Sequence, residues 1–249
     1  MKRISVAIFL FIYLVVCASC ALQQDKTQLN ANDVIIQSRT YSADQHTVHI
    51  EIPVFSNSEE PLNRAICAFL ESRILLDAGI SIDLNDNADV VEHEKQGNDV
   101  HINISCRVSM ASHEYISIIF EGILNDRRAA HPTHLFFTLN LNRTTGEKMM
   151  LSDFCTVDQR LYKIFLHYAY EELKENADSQ WLSQINIAEL CPESQFIQGL
   201  QQETAYWMYM TEASIGISYP VPFSMGNHME VEIPKEELAR GQGDGSAVP

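Results

Sequence analysis

The chain is short of basic residues. It contains 17 lysines and arginines against 33 aspartates and glutamates, and its formal net charge is −16 at pH 7. A protein that binds nucleic acid through phosphate groups needs a basic surface. We therefore expect no nucleic-acid partner, and the acidity favours a cationic one.

Catalytic and metal-binding motifs are also missing. No G-x-S-x-G, H-E-x-x-H or glycine-rich phosphate loop occurs, which weakens every enzyme hypothesis. Asp83, Asp86 and Asp89 lack the glycine and the terminal glutamate of a calcium loop. His131 and His134 are three residues apart, a spacing that a strand does not bring to one face. We expect no catalytic residue, no metal and no cofactor.

The one apolar run at the start of the chain is too short to span a bilayer comfortably. Lys2 and Arg3 precede it, and it extends over residues 6–16, as in an export leader. The leader ends in Cys17-Ala18-Ser19-Cys20, which resembles a bacterial lipobox, although Cys17 replaces the usual aliphatic residue. Either Cys20 is lipidated after removal of the signal peptide, or ordinary cleavage follows Ala21.

Both alternatives predict an exported protein. Lipidation at Cys20 predicts a membrane-anchored lipoprotein of a bacterial cell envelope, with a signal peptide at residues 1–20 and a polar tether at 21–33. Ordinary cleavage predicts a secreted or periplasmic protein.

Four cysteines follow the leader. They are Cys67, Cys106, Cys155 and Cys191. An even number in an exported protein favours disulfides, and the wide spacing fits no C-x-x-C motif. From the residues alone, three pairings remain open.

Alternation of hydrophobic residues predicts strands in residues 48–54, 100–110, 116–120, 135–141, 206–210, 215–223 and 229–233. Apolar residues at three- and four-residue spacing predict two amphipathic helices, at 61–78 and 157–175. There is no strand-helix-strand rhythm of a parallel sheet. We therefore predict an α+β fold of two small subunits, each an antiparallel sheet covered by one amphipathic helix.

Aromatic residues are concentrated near the C-terminal strands. Trp207 and Tyr209 share one face of a predicted strand, and Tyr219 and Phe223 follow on the next. Because aromatic residues are enriched at interfaces, these four are candidate ligand-binding residues. The alternative is that they belong to the core.

Two separated segments resemble a known family. Residues 131–155 read HPTHLFFTLNLNRTTGEKMMLSDFC: a strand, a polar turn with Gly146 where a positive φ is expected, and a Leu-Ser-Asp step. Residues 217–226 read ISYPVPFSMG, and a Val-x-Ile-Pro strand follows at 231–234. Both segments resemble the extracytoplasmic domain shared by RsiV-type anti-sigma factors and the N-terminal region of PdaC-type peptidoglycan deacetylases.

The resemblance covers residues 34–238. It divides them into an N-terminal strand-helix-hairpin unit at 34–125 and a C-terminal unit at 131–238, before a tail at 239–249 that we expect to be disordered. The disulfide prediction follows this division, with Cys67 bonded to Cys106 and Cys155 to Cys191. Neither the cytoplasmic segment of the anti-sigma factors nor the deacetylase domain is present in the sequence, so the resemblance implies the extracytoplasmic module alone.

The functional expectation combines these points. We expect a non-enzymatic envelope lipoprotein that binds an extracellular ligand, and the resemblance implies a basic, lysozyme-like protein or a peptidoglycan component. The alternative is a hydrolase or deacetylase acting on peptidoglycan, in which His131, His134 and nearby carboxylates would form the site.

Overall fold

Strands dominate the part of the chain that the structure, a computed structural model, describes: residues 34–43, 46–56, 59–84, 91–93, 99–176, 185–203, 205–222 and 225–239. All of these residues lie in one unit, Asn32–Pro249. The predicted signal peptide, lipidation site Cys20, tether and tail residues 240–249 lie outside the described residues. No helix within the described ranges is long and apolar enough to cross a membrane.

The strands are β1 (Val34–Ala43), β2 (His46–Phe55), β3 (Ile80–Ile82), β4 (Val91–His93), β5 (Val100–Ala111), β6 (Tyr115–Asp126), β7 (Thr133–Asn142), β8 (Trp207–Met210), β9 (Ser214–Pro220) and β10 (His228–Pro234). The helices are α1 (Glu60–Ala78), α2 (Gln159–Asn176), α3 (Ile187–Leu190), α4 (Glu193–Gln202) and α5 (Lys235–Ala239), and a short 3-10 helix spans Leu151–Asp153.

The first sheet has five strands in the order β1-β2-β5-β6-β7. Adjacent strands in this sheet are antiparallel, except that β2 and β5 are parallel. A parallel pair needs a crossover connection, and the segment that contains α1 provides it. α1 buries Leu62, Ile66, Leu70 and Ile74, a four-residue repeat that places one helical face against the sheet. Gly79 ends the helix in the left-handed conformation, with φ of 69°.

The second sheet has three antiparallel strands in the order β10-β9-β8. α2 packs on it through Leu161, Phe165, Ala169 and Leu173, all of which are buried in a second core. The predicted α+β fold, with two small sheet units and a helix on each, is therefore confirmed. The parallel β2–β5 pair is the one departure from an all-antiparallel arrangement in the described sheets.

β7 completes the first sheet. The sequence assigned residues 131–238 to the C-terminal unit, but β7 pairs with β6 from Thr133 opposite Leu124 to Asn142 opposite Tyr115. Only one face of this strand was expected to be buried, whereas Thr138 and Asn140 on the opposite face are also buried, at 0% and 1% exposed. The second sheet covers that face.

The two sheets meet where polar side chains bind the backbone of β8. The carbonyl oxygen of Met208 accepts hydrogen bonds from Thr138 Oγ1 at 2.5 Å and Asn140 Nδ2 at 2.7 Å. The N–H of Met210 donates to Ser117 Oγ at 2.8 Å. β8 is the edge strand of its sheet, so these side chains replace the missing ladder partner.

A polar turn after β7 fixes the start of α1. Gly146 has φ of 70°, as the sequence predicted, and the Asn142 side chain accepts the N–H groups of Thr144 and Thr145. A Cβ on Gly146 would lie 3.1 Å from the carbonyl oxygen of Pro61. The turn therefore packs closely against the first turn of α1.

Candidate functional site

Three of the four aromatic residues proposed from the sequence lie in the core. Trp207, Tyr209 and Tyr219 are 6%, 2% and 1% exposed, and Phe223 lies outside the described residues. Trp207 is covered by the guanidinium of Arg73, 5.1 Å from the ring centre. The prediction of an exposed aromatic ligand surface is wrong for these three residues, because β8 and β9 are enclosed between the two cores.

The four cysteines are free thiols. The predicted bonds Cys67–Cys106 and Cys155–Cys191 are not formed, and the thiol of Cys191 instead donates a hydrogen bond of 3.2 Å to the hydroxyl of Tyr206. Burial raises the pKa of Cys67, Cys155 and Cys191 to about 11 and that of Cys106 to about 12. These side chains behave as small apolar groups rather than as nucleophiles.

The two histidines of the predicted pair have different surroundings. His131 lines an open cavity of about 300 Å³ together with His101, Asp99 and Asp126. His134 is the second residue of β7 and is not part of that cavity. Among the described side chains, no group of three or more His, Cys, Asp or Glu is placed to hold a metal ion.

An exposed ionic cluster does occur where the two sheets meet. Arg107 on β5 lies between two carboxylates, with Nε 3.6 Å from Glu121 Oε1 and Nη2 3.3 Å from Glu230 Oε2. The guanidinium also covers the ring of Tyr209 at 5.5 Å. The side chains of Arg107, Glu121 and Glu230 are 52%, 46% and 28% exposed, so a ligand in solvent can reach them.

Two rings flank the carboxylates. The His228 imidazole packs on Phe136 with 4.4 Å between ring centres, and its Nε2 is 4.0 Å from Glu230 Oε1. Burial lowers the pKa of His228, and Glu230 and Glu121 oppose that effect. Phe136 is only 8% exposed, so it supports the imidazole from the core and does not itself meet a ligand. We call Arg107, Glu121, His228 and Glu230 the junction surface.

The junction surface has an excess of acidic side chains. Two carboxylates face a single guanidinium, and exposed ion pairs of this kind are weak, so a cationic ligand can compete for them. The sequence placed Arg107 on the wet face of its strand but gave no sign that Glu230 lies beside it. The two residues are 123 positions apart in the sequence, and they come together because the two sheets pack against each other.

The comparisons with known proteins concern the fold. No protein-family model matches the chain, and no curated protein matches it. A solved DUF3298 family protein from Pseudomonas aeruginosa is similar with a TM-score of 0.55, at 14% identity, over 83% of this chain and 91% of that chain. The two proteins share a fold. A second solved DUF3298 member, from Bacteroides fragilis, gives a TM-score of 0.47 at 13% identity over the same shares of the two chains.

Proposed function

We propose that this protein is a non-enzymatic module of the bacterial cell envelope that binds an extracellular ligand through the junction surface. The observation that carries the proposal is the pair of accessible carboxylates, Glu121 and Glu230, around the single cation of Arg107. His228, whose ring packs on the buried Phe136, adds an imidazole beside them.

A basic, lysozyme-like protein is the first ligand to test, and a peptidoglycan component is the second. The net charge of −16 favours the approach of a basic protein by electrostatic steering. The fold shared with the DUF3298 protein from Pseudomonas aeruginosa agrees with the resemblance, because DUF3298 is related to the PdaC/RsiV-type domain. The proposed ligand class follows from that resemblance.

The anchoring part of the proposal is lipidation at Cys20. Substitution Cys20→Ala in the full chain should move the protein from the membrane fraction to the soluble fraction of the envelope, because a lipid chain is the membrane attachment that the lipobox implies. Unchanged fractionation would contradict a lipid anchor at this residue and would indicate ordinary secretion or an uncleaved leader that acts as the anchor.

A peptidoglycan hydrolase or deacetylase is the rival function. The cavity that contains His131, His101, Asp99 and Asp126 is the feature that favours it. The Arg128 guanidinium lowers the pKa of Asp126 to about 2, and Arg127 Nη1 pairs with Asp99 Oδ2 at 2.9 Å. Both carboxylates are thus held in ion pairs, a poor state for a general acid.

A pull-down with lysozyme at low and physiological salt, run beside a deacetylase assay with added zinc, separates the two functions. We expect retention of lysozyme at both salt concentrations and no turnover. Binding that vanishes by physiological salt would reduce the interaction to screened charge attraction. Zinc-dependent turnover abolished by His131→Ala or His134→Ala would establish the enzyme instead.

A further inference from the structure

A second concave site lies away from the junction surface, where the end of the β5–β6 hairpin meets the second sheet and α5. It is a cavity of about 280 Å³, a volume that holds roughly nine water molecules. Small-molecule sites are mostly apolar clefts with a few placed polar groups. This cavity is small by that standard, and its lining has that composition.

The walls are aromatic and thioether side chains. Tyr115 and Phe154 meet edge to face with 5.4 Å between ring centres, and Met110 and Met210 form the wall contributed by β5 and β8. Methionine side chains adapt to ligands of different shape because their chains are unbranched and their sulfur is polarizable. The cavity can therefore accommodate a flexible apolar group.

A single cation, Lys235, lies among the residues that line the cavity. Its Nζ donates to the carbonyl oxygens of Thr211 at 2.5 Å and Glu212 at 3.1 Å. Its third contact is the sulfur of Met110 at 3.9 Å, and a thioether is a weak acceptor. One N–H of the ammonium therefore faces the cavity wall without a strong acceptor.

We infer that this cavity binds a small organic acid, with its carboxylate on Lys235 and its apolar tail between Tyr115, Phe154 and the two methionines. The carboxylate replaces a weak sulfur contact with a charge-assisted hydrogen bond, which is about twice as strong as a neutral one. The apolar tail removes exposed ring and thioether surface from water. The inference does not depend on the proposed function at the junction surface.

The charge on the ligand is set by Lys235. Burial lowers the pKa of this lysine, and the carboxylates of Glu212 and Glu236 oppose the shift. A bound carboxylate would raise the pKa of Lys235, as those two groups do. An amine of the same length would meet an ammonium instead, and an alcohol would gain a hydrogen bond without the charge.

The test is a titration of the mature chain with octanoate, octanol and octylamine, followed by the methyl resonances of ¹³C-methyl-labelled methionines. We expect octanoate to shift the Met110 and Met210 resonances saturably, with the other methionines as internal references. Octanoate should bind at least tenfold more tightly than octanol. Equal affinity for octanol, or shifts of similar size at all methionines, would overturn the inference.

Two kinds of variant complete the test. Lys235→Met keeps an apolar stem but removes the cation, and it should reduce octanoate affinity to that of octanol. Ala239→Phe places a ring at the exposed rim of the cavity and should abolish octanoate binding, whereas the matched control Ala239→Ser should retain it. Undiminished binding of octanoate to a folded Ala239→Phe protein would place the acid elsewhere and overturn the inference.

Discussion

Asn140 Nδ2 donates a hydrogen bond of 2.7 Å to the carbonyl oxygen of Met208, across the contact between the two sheets. Thr138 Oγ1 donates to the same oxygen at 2.5 Å. Both side chains are buried, so without them this carbonyl would be buried without a side-chain donor. The edge of β8 is thus held against the face of β7 by side-chain hydrogen bonds, and not by backbone pairing with another strand.

Substitution at these two positions should show strong coupling. Thr138→Val alone leaves Asn140 as donor, and Asn140→Ala alone leaves Thr138, so each should lower the free energy of unfolding by about 1 kcal/mol. The double variant should lose about 0.5–3 kcal/mol more than the sum, because a buried acceptor then lacks both donors. Urea unfolding of the four proteins measures this. Thr138→Ser keeps the hydroxyl and is the control, and additive losses would contradict the account.

The alternation in residues 135–141 predicted β7 correctly but not the environment of its polar face. Thr138 and Asn140 would look the same in sequence whether they met water or the carbonyl of Met208, since both partners accept hydrogen bonds. Likewise, Trp207 and Tyr209 were correctly placed on one face of a strand. This face is buried because it packs against residues of the first sheet, such as Phe137, whose ring centre is 6.4 Å from that of Trp207. The local sequence pattern gives no information about such a contact.

The junction surface illustrates the same limit. Arg107 was expected on a solvated face of the β5–β6 hairpin, and it is there. Its second carboxylate partner comes from β10, and the sequence gives no pairing rule between strands of different sheets. The sequence did not predict that β2 pairs with β5 in parallel. In the structure β1 occupies the other edge of β2, and β1 itself was not predicted because its sequence has no clear alternation of polar and apolar residues.

Gly216 is required by the ring of Tyr209 on the neighbouring strand. The two residues are directly opposite in the β8–β9 pair, and a Cβ on Gly216 would lie 2.0 Å from the ring. Gly216→Ala should therefore destabilise the protein by about 1–3 kcal/mol through overpacking, measured by thermal or urea unfolding. In a Tyr209→Ala background the same change should cost much less, and an undiminished cost there would show that the ring is not the cause.

The four cysteines should be unreactive in the native state. With pKa values of about 11–12 set by burial, little thiolate exists at pH 8. In the chain from Leu22 onward, which excludes Cys17 and Cys20, iodoacetamide should modify the native protein slowly, and should modify four thiols after unfolding without a reductant. The mass of the alkylated protein gives the number directly. A Cys67–Cys106 or Cys155–Cys191 peptide in the non-reduced digest would contradict the free-thiol assignment.

Glu203 should give stability an unusual pH dependence. It is 7% exposed and pairs with the Lys148 ammonium, while its Oε1 accepts no hydrogen bond among the described groups. Burial raises its pKa above the ordinary value, and the hydrogen bond and charge of Lys148 oppose the shift. When the pKa of a carboxyl group is higher in the folded state than in the unfolded state, ionisation of that group destabilises the folded protein.

The prediction follows from that sign. Relative to Glu203→Gln, the wild-type protein should gain stability as pH falls from neutrality through the raised pKa, and the gain should level off below the ordinary glutamate pKa. Urea unfolding of both proteins across this range measures the difference and cancels the other carboxylates. A difference in stability that stays constant with pH, or that changes in the opposite direction, would show that burial does not raise the pKa of Glu203.

Binding of lysozyme to the Glu121→Gln/Glu230→Gln variant tests the central claim most directly. The matched control is Glu60→Gln/Glu171→Gln, which makes the same charge change at exposed carboxylates on α1 and α2. By surface plasmon resonance at physiological salt, the junction variant should bind about two- to tenfold more weakly, mainly through slower association, and the control should bind like the wild type. Equal losses in both variants, or no binding by the wild-type protein, would contradict a ligand site at the junction surface.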